Sequence, residues 1–520
     1  MTGGILQLQK TGAQDLYLTG NPQISFFKTV YRRYTNFAMD FFKIEPEVSF
    51  PLRESDSVTY KFFIKRNADL ISNIFFCFDI PDIYSTNDNK FRWIKNLGFN
   101  IIERATIYIG GTLIDETYGE WFDIWNELSN NSEKKKIIND IIGNVPELYN
   151  PEEARGNGSL YPESLIGGNT NTGAPSILAR KIRVPLIFWF NKNPSLALPL
   201  IALQYHPVEI NIQCRKIQEL YTVIDDRLNS DSSGKRIKPN NIKLFGIHKF
   251  IDGKSIATIS GKPGGDDSKL NAFDIKPFLD INYIFLDSKE MRNFALTSHE
   301  YLIEQVKKST FESQLGNKSL ELKNISHPIS YMVIIAKRDD IKTRNDWNNY
   351  TNWVIEDIPP YSLEYINPYF NKYEVGKNKD SNKKVYESSN TENFAQRRNK
   401  NCLEELNLIL NGVERISARE INFFSKVQTL NYFEGYKEGI YPYSFSINPL
   451  KFQPSGSCNM SLINNIILKI KTQDVNKPDK SSNDNIEDLD NPYKYDINIY
   501  SVNYNILNIN SGMASLKFSG

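Results

Sequence analysis

Short runs of β-branched and aromatic residues, cut by Pro, Asp, Ser and Asn, dominate the chain from Asp40 onward. Phe41 to Phe50, Val58 to Lys65 (VTYKFFIK) and Ile71 to Ile80 (ISNIFFCFDI) have the length and composition of strands. Lys181 to Phe190 (KIRVPLIFWF) and Tyr205 to Arg215 (YHPVEINIQCR) continue the series. Later runs are Ile281 to Leu286, Tyr301 to Val306, Tyr331 to Lys337, Ser461 to Thr472, Tyr495 to Ile499 and Val502 to Ile509. Helical periodicity is confined to short pieces. Asn21-Pro22 reads as an N-cap followed by a first-turn proline, after which Phe26, Phe27, Val30, Tyr31 and Tyr34 share one helical face and Lys28, Arg32 and Arg33 the other. A further helix is expected near Lys134 to Ile142.

Within this pattern one unit occurs twice. Ile107 to Trp125 (IYIGGTLIDETYGEWFDIW) and Leu408 to Phe424 (LILNGVERISAREINFF) each show an apolar run, a two-residue turn, a second short strand and an aromatic-rich amphipathic segment. The turns, Gly110-Gly111 and Asn411-Gly412, supply residues that tolerate φ > 0 at both central positions, so each copy predicts a tight hairpin feeding a helix. Two polar stretches rich in Asn interrupt the strands: Ser129 to Thr172 follows the first copy, and Arg338 to Asn401 precedes the second. Roughly eight strands are complete by Arg215, the number a jelly-roll sandwich needs. The expected class is therefore all-β: two consecutive eight-stranded jelly-roll β-sandwiches with short helices and long loop insertions. The expected bounds are an N-terminal arm and short helix over 1–39, a first jelly roll over 40–224, a linker over 225–267 and a second jelly roll over 268–520.

Composition narrows the function. A chain of 520 residues can bury an ample core without disulfides or metal. Its formal net charge is +1, without the Lys/Arg excess that phosphate contacts require, so direct nucleic-acid binding is disfavoured. The basic clusters Lys134-Lys135-Lys136 and Arg397-Arg398 read as solvated faces. Aromatic residues make up 12% of the chain, a level that suits half-buried strands and broad protein contacts. The four cysteines form no CxxC pair, and Cys77 and Cys214 read as buried thiols. Neither a secretory signal nor a bilayer-spanning apolar stretch is apparent.

Little chemistry is legible. His206, His248, His299 and His327 stand apart, without metal-ligand spacing. Lys262 to Lys269 (KPGGDDSK) lacks the order of a phosphate loop and reads as a flexible turn. Acidic doublets such as Glu152-Glu153 and Asp339-Asp340 lie in loop text, where exposed carboxylates are expected. No catalytic residue, cofactor site or metal site is nominated, and the chain is not expected to be an enzyme.

Two long stretches carry a resemblance. Ala13 to Ala38 (AQDLYLTGNPQISFFKTVYRRYTNFA) resembles the opening of the major capsid proteins of nucleocytoplasmic large DNA viruses. Tyr441 to Ser461 (YPYSFSINPLKFQPSGSCNMS) is similar to a segment of that family's second domain. Tyr500 to Phe518 is similar to its closing strand, and the Lys-, Asn- and Ile-rich loops look most like the giant, mimivirus-like branch. The resemblance implies a double jelly-roll chain that forms a homotrimer, a pseudo-hexagonal capsomer tiling an icosahedral shell. It implies neighbouring capsomers, minor capsid and penton proteins as partners, with the internal viral membrane surface as a further candidate. It places the chain in the virion, made and assembled in host cytoplasm. In that setting Phe26, Phe27 and Tyr31 are expected to anchor the arm at an interface, with Arg32 and Arg33 as charged companions. The alternative is a viral attachment or carbohydrate-binding β-sandwich protein.

Overall fold

The computed structural model describes residues 3–54, 56–86, 89–154, 160–164, 174–225, 235–237, 245–251, 273–323, 325–353, 356, 375–377, 384–386, 400–473 and 493–518. The strands of its first sandwich are β1 (Phe37–Ile44), β2 (Val58–Ile64), β3 (Leu70–Ile80), β4 (Ile102–Ile109), β5 (Thr112–Tyr118), β6 (Arg180–Pro185), β7 (Val208–Cys214) and β8 (Phe278–Leu286). Those of the second are β9 (His299–Gln314), β10 (Asn317–Glu321), β11 (Pro328–Arg338), β12 (Leu403–Leu410), β13 (Val413–Glu420), β14 (Ile440–Ser444), β15 (Ile466–Thr472) and β16 (Tyr495–Asn510).

In the first unit the sheets run β1-β8-β3-β6 and β2-β7-β4-β5; in the second they run β9-β16-β11-β14 and β10-β15-β12-β13. Adding eight to each label of the first unit gives the second. All these neighbours are antiparallel, and the order is that of a jelly roll. The duplicated hairpins are β4-β5 and β12-β13. Their turns have φ of 59° and 79° at Gly110-Gly111 and 48° and 81° at Asn411-Gly412, as the sequence requires.

Antiparallel order also sorts the connections by end. The β1-β2, β3-β4, β5-β6 and β7-β8 connections share one end with their counterparts in the second unit, and both long polar insertions lie there. The N-terminal arm, the tight hairpin turns and the C-terminal segment share the opposite end, called the arm end below.

Burial follows the pleat where one face is covered. In β2, Val58, Tyr60, Phe62 and Ile64 point inward while Thr59, Lys61 and Phe63 point out. By contrast, β11 and β16 are buried on both faces. Met332, Ile334 and Ala336 pack in the core of the second sandwich, whereas Tyr331, Val333 and Ile335 join the first unit's cluster. Ile497 and Ile499 likewise face the second core, and Tyr500 and Val502 face the first unit. The outer face of the β9-β16-β11-β14 sheet is thus the seam between the sandwiches.

Several expectations change. No helix follows Asn21: the arm holds helices Gly3–Gln9 and Asp15–Thr19, Asn21 adopts φ of 50°, and residues 20–36 are irregular. A short helix is marginal unless its apolar face is packed, and among the described residues nothing covers it. The Lys181 to Phe190 run stops at Pro185, which lacks an N–H to continue the ladder, and Trp189–Lys192 forms a helical turn instead. The two closing runs are one continuous strand, β16. The expected helix near Lys134 is present as Ser132–Ile141.

The expected boundary at 268 also shifts. β8 pairs with β1 and β3, so this run is the eighth strand of the first sandwich. Residues 225–267 therefore lie inside the β7-β8 connection, and the chain passes between units through helix Ser288–Leu296. Most of 225–267, the whole of Lys262 to Lys269 and much of 338–401 lie outside the described residues.

Candidate assembly surfaces

The arm carries the five residues singled out from the sequence, and the structure does not gather them. Phe26, Phe27, Tyr31, Arg32 and Arg33 are strung along the irregular segment, Phe27 being 99% exposed, rather than stacked on one helical face. Among the described residues their side chains make no hydrogen bond, ion pair or ring contact. The apolar text continues into edge strand β1, where Phe37, Met39 and Phe41 are all exposed. At the same end Tyr205, Ile447, Phe452, Leu462, Met513 and Phe518 also stand in solvent. Exposed aromatic side chains in this density are characteristic of interaction surfaces.

The seam is the opposite case, a surface already filled. Its centrepiece is the helix after the first hairpin, Gly119–Ser129. A Cβ at Gly119 would meet the carbonyl oxygens of Phe99 and Ile102 at 2.1 Å, so only glycine lets the chain turn into the helix there. Trp121 packs on Tyr500 with ring centroids 5.4 Å apart and on Tyr331 at 6.4 Å, both from the second sandwich.

Beside these rings two carboxylates one helical turn apart enter a buried charge network. Glu120 pairs with Lys337 of β11, lies 3.6 Å from Lys308 of β9, and accepts from Tyr500 and from Asn498 Nδ2, the latter at 2.8 Å. Asp123 accepts from the Tyr350 hydroxyl at 2.7 Å, from Asn96 Nδ2 at 2.9 Å and from Lys437 Nζ at 3.4 Å. Burial alone would raise the Glu120 carboxyl; Lys337, Lys308 and the donated hydrogen bonds outweigh it and bring it down to about 2. Burial lowers the Lys337 ammonium, and Glu120 offsets that in part.

Further links flank this centre. Lys192 pairs with Glu304 at 2.8 Å, Gln305 donates to the Ile114 carbonyl at 2.5 Å, and Trp347 Nε1 donates to the Glu219 carbonyl at 2.9 Å. The backbone of Glu434 and Gly435 donates to the Leu128 carbonyl at 3.0 and 3.1 Å. The sequence reading singled out the aromatic residues of this helix but not Glu120 or Asp123. The available signal was two acids interleaved with Trp121, Phe122 and Trp125 on a segment too apolar to face water.

The acidic doublets are corrected likewise. Glu152 is 0% exposed and pairs with Arg92 and, at 3.9 Å, Lys90. Asp340 is held by Arg338 at 2.6 Å and Arg344 at 3.0 Å. Asp340 lies at the root of the second insertion, and Glu152 lies within the first. Cys77 and Cys214 are buried thiols, as expected, and burial pushes Cys77 up to about 12.

Two jelly rolls joined by a continuous apolar and ionic seam define a double jelly-roll protein. The family described as "Major capsid protein N-terminus" matches residues 25–287, and that described as "Large eukaryotic DNA virus major capsid protein" matches residues 290–515. The junction between these matches falls at the start of the Ser288–Leu296 passage between sandwiches. The chain is 31% identical to the major capsid protein of Phaeocystis pouchetii virus, over 100% of both chains. It is 34% identical to capsid protein 1 of Acanthamoeba polyphaga mimivirus, over 65% of this chain and 49% of that one. A chain of the PBCV-1 virus capsid, 24% identical, superimposes with a TM-score of 0.62 over 95% of this chain and 100% of its own, which shows the shared fold. The chain belongs to the family of major capsid proteins of large eukaryotic DNA viruses, structural proteins of the virion shell.

Proposed function

We propose that three copies of this chain form a homotrimeric capsomer that tiles an icosahedral shell. The observation that carries this reading is the strand order repeated with an offset of eight, in two sandwiches locked side by side by a buried seam. Two like pillars per chain, taken three times, give six pillars and a nearly hexagonal outline that closed threefold symmetry can fill. Such a trimer needs an interface of the obligate class, upwards of about 2,000 Å². The role is mechanical, and no catalytic step is required of any residue.

The exposed aromatic residues at the arm end support an inward orientation of that end. Phe26, Phe27 and Tyr31 then anchor the arm to a neighbouring capsomer, a minor capsid or penton protein or the internal membrane surface, with Arg32 and Arg33 meeting acidic groups. The long loops face outward, and assembly takes place in host cytoplasm. Mass measurement of the purified chain in solution, followed by imaging, tests the central claim. A threefold mass with a hexagonal outline is expected; a monomeric or dimeric mass at assembly concentrations overturns it. Deleting residues 1–33 should leave soluble trimers and impair shell formation, whereas loss of trimers would assign the arm to the capsomer core.

A further inference from the structure

At the arm end the seam opens into a cleft of about 510 Å³ between β5 of the first sandwich and β9, the β10-β11 connection and the C-terminal segment of the second. Its charged lining is mainly cationic. Lys307, Lys308, Lys323 and His327 reach it from the second unit, and Asp115 and Glu116 from the first. Two of the lysines have carboxylate partners: Lys308 lies 3.6 Å from Glu120 and Lys323 lies 3.2 Å from Glu321. Lys307 has none within ion-pair distance among the described residues, although it is half-buried. Glu116 is already engaged by the Tyr118 hydroxyl and by Arg104 at 3.6 Å.

The neutral partners are also held in place. Asp115 is only 4% exposed, and one of its oxygens accepts from the Glu116 N–H at 2.9 Å. Burial pushes its carboxyl up to about 8, against the pull of Lys192 and Lys307, so at neutral pH it carries a proton it can donate. His327 sits at φ of 68°, a left-handed conformation uncommon for a residue with a Cβ. Its backbone N–H donates to Ser461 Oγ at 2.8 Å, and its backbone carbonyl accepts from the Met460 N–H at 3.1 Å. Burial and then Lys307 lower its imidazole, which favours the neutral ring.

We propose that this cleft binds a phosphate-type oxyanion, free or as the head group of an anionic lipid, with Lys307 as the principal cation and Asp115 and His327 as hydrogen-bonding partners. Lys308 and Lys323 flank the anion and add attraction without being free to neutralise it. An uncompensated ammonium beside a neutral acid and a neutral imidazole accepts an oxyanion with little reorganisation, whereas a cation would meet three lysines. The site uses residues of both sandwiches, so occupancy would also brace the seam. Binding by the single chain does not depend on trimer formation.

Calorimetric titration of the full chain with inorganic pyrophosphate, at ionic strength fixed with chloride, tests the assignment. One saturable site per chain is expected. Lys307→Gln should weaken binding about tenfold or more, as loss of a charge-assisted contact does, and Lys307→Arg should keep most of it. Lys136→Gln, on the exposed helix Ser132–Ile141, should have no effect. Absence of saturable binding, or equal binding by Lys307→Gln of unchanged melting temperature, overturns the proposal. Flotation with phosphatidic-acid vesicles against phosphatidylcholine vesicles separates the sources. Capture by the acidic vesicles that Lys307→Gln abolishes identifies a lipid head group, and pyrophosphate binding without capture identifies a free phosphate ligand.

Discussion

At the scale of single residues, the seam rests on charges that only a partner sheet makes tolerable. Glu120→Gln leaves Lys337 buried without its carboxylate, and breaking a buried pair in this way costs roughly 3–5 kcal/mol. The expected result is a clear fall in the midpoint of urea unfolding, largely restored when Lys337→Met is added to remove the stranded ammonium. The pH dependence follows from the same geometry. Because the folded Glu120 carboxyl lies near 2, below its ordinary 4.5, its stabilisation is fully present above 4.5 and is lost as pH falls toward 2. Melting temperatures of wild type and Glu120→Gln should therefore converge as pH drops through that window. Asp115 has the opposite sign. Its carboxyl is raised from 3.8 to about 8, so its contribution is present below 3.8 and is lost as pH rises through 8. Asp115→Asn should flatten the decline of melting temperature between pH 4 and 8.

Among the elements, the two hairpins show what a local pattern specifies. Gly111 and Gly412 both have φ near 80° with open space around them, so alanine at either should cost only the backbone strain, about 1 kcal/mol. Gly119 has negative φ but touches two carbonyl oxygens, and Gly119→Ala should lower the melting temperature far more than Gly111→Ala does. Thermal unfolding of the three variants checks the order. The hairpin turns were readable because φ > 0 at both central positions restricts residue choice to Gly and Asn. The helix after the second hairpin is also formed, over residues 421–432, but its middle, Phe423–Gln428, is π-type, a local departure that apolar periodicity does not specify. The arm helix failed for a related reason, since periodicity marks an apolar face but cannot supply the surface that packs against it.

For the whole molecule, one apolar cluster runs from the core of the first sandwich through Trp121 to Tyr331, Val333, Tyr500 and Val502 of the second. A seam of this kind should couple the units, so differential scanning calorimetry is expected to record a single cooperative transition; two separated transitions would show that the sandwiches melt independently. Sequence by itself determined the all-β class, the duplicated hairpin, the buried thiols and the family resemblance, because strand alternation, turn chemistry and long motifs are local properties of the chain. It misassigned β8 because a strand's own text carries no record of its neighbours, and a run more than sixty residues beyond the seventh strand closes the first sheet as readily as it could open the second. It also missed Glu120 and Asp123, whose partners no motif or spacing in the sequence identifies. Only the tertiary structure decided that two sandwiches meet through the outer face of one sheet. The partners that make buried charge stable there, Lys337, Lys308 and Lys437, lie far along the chain and are brought together by packing alone.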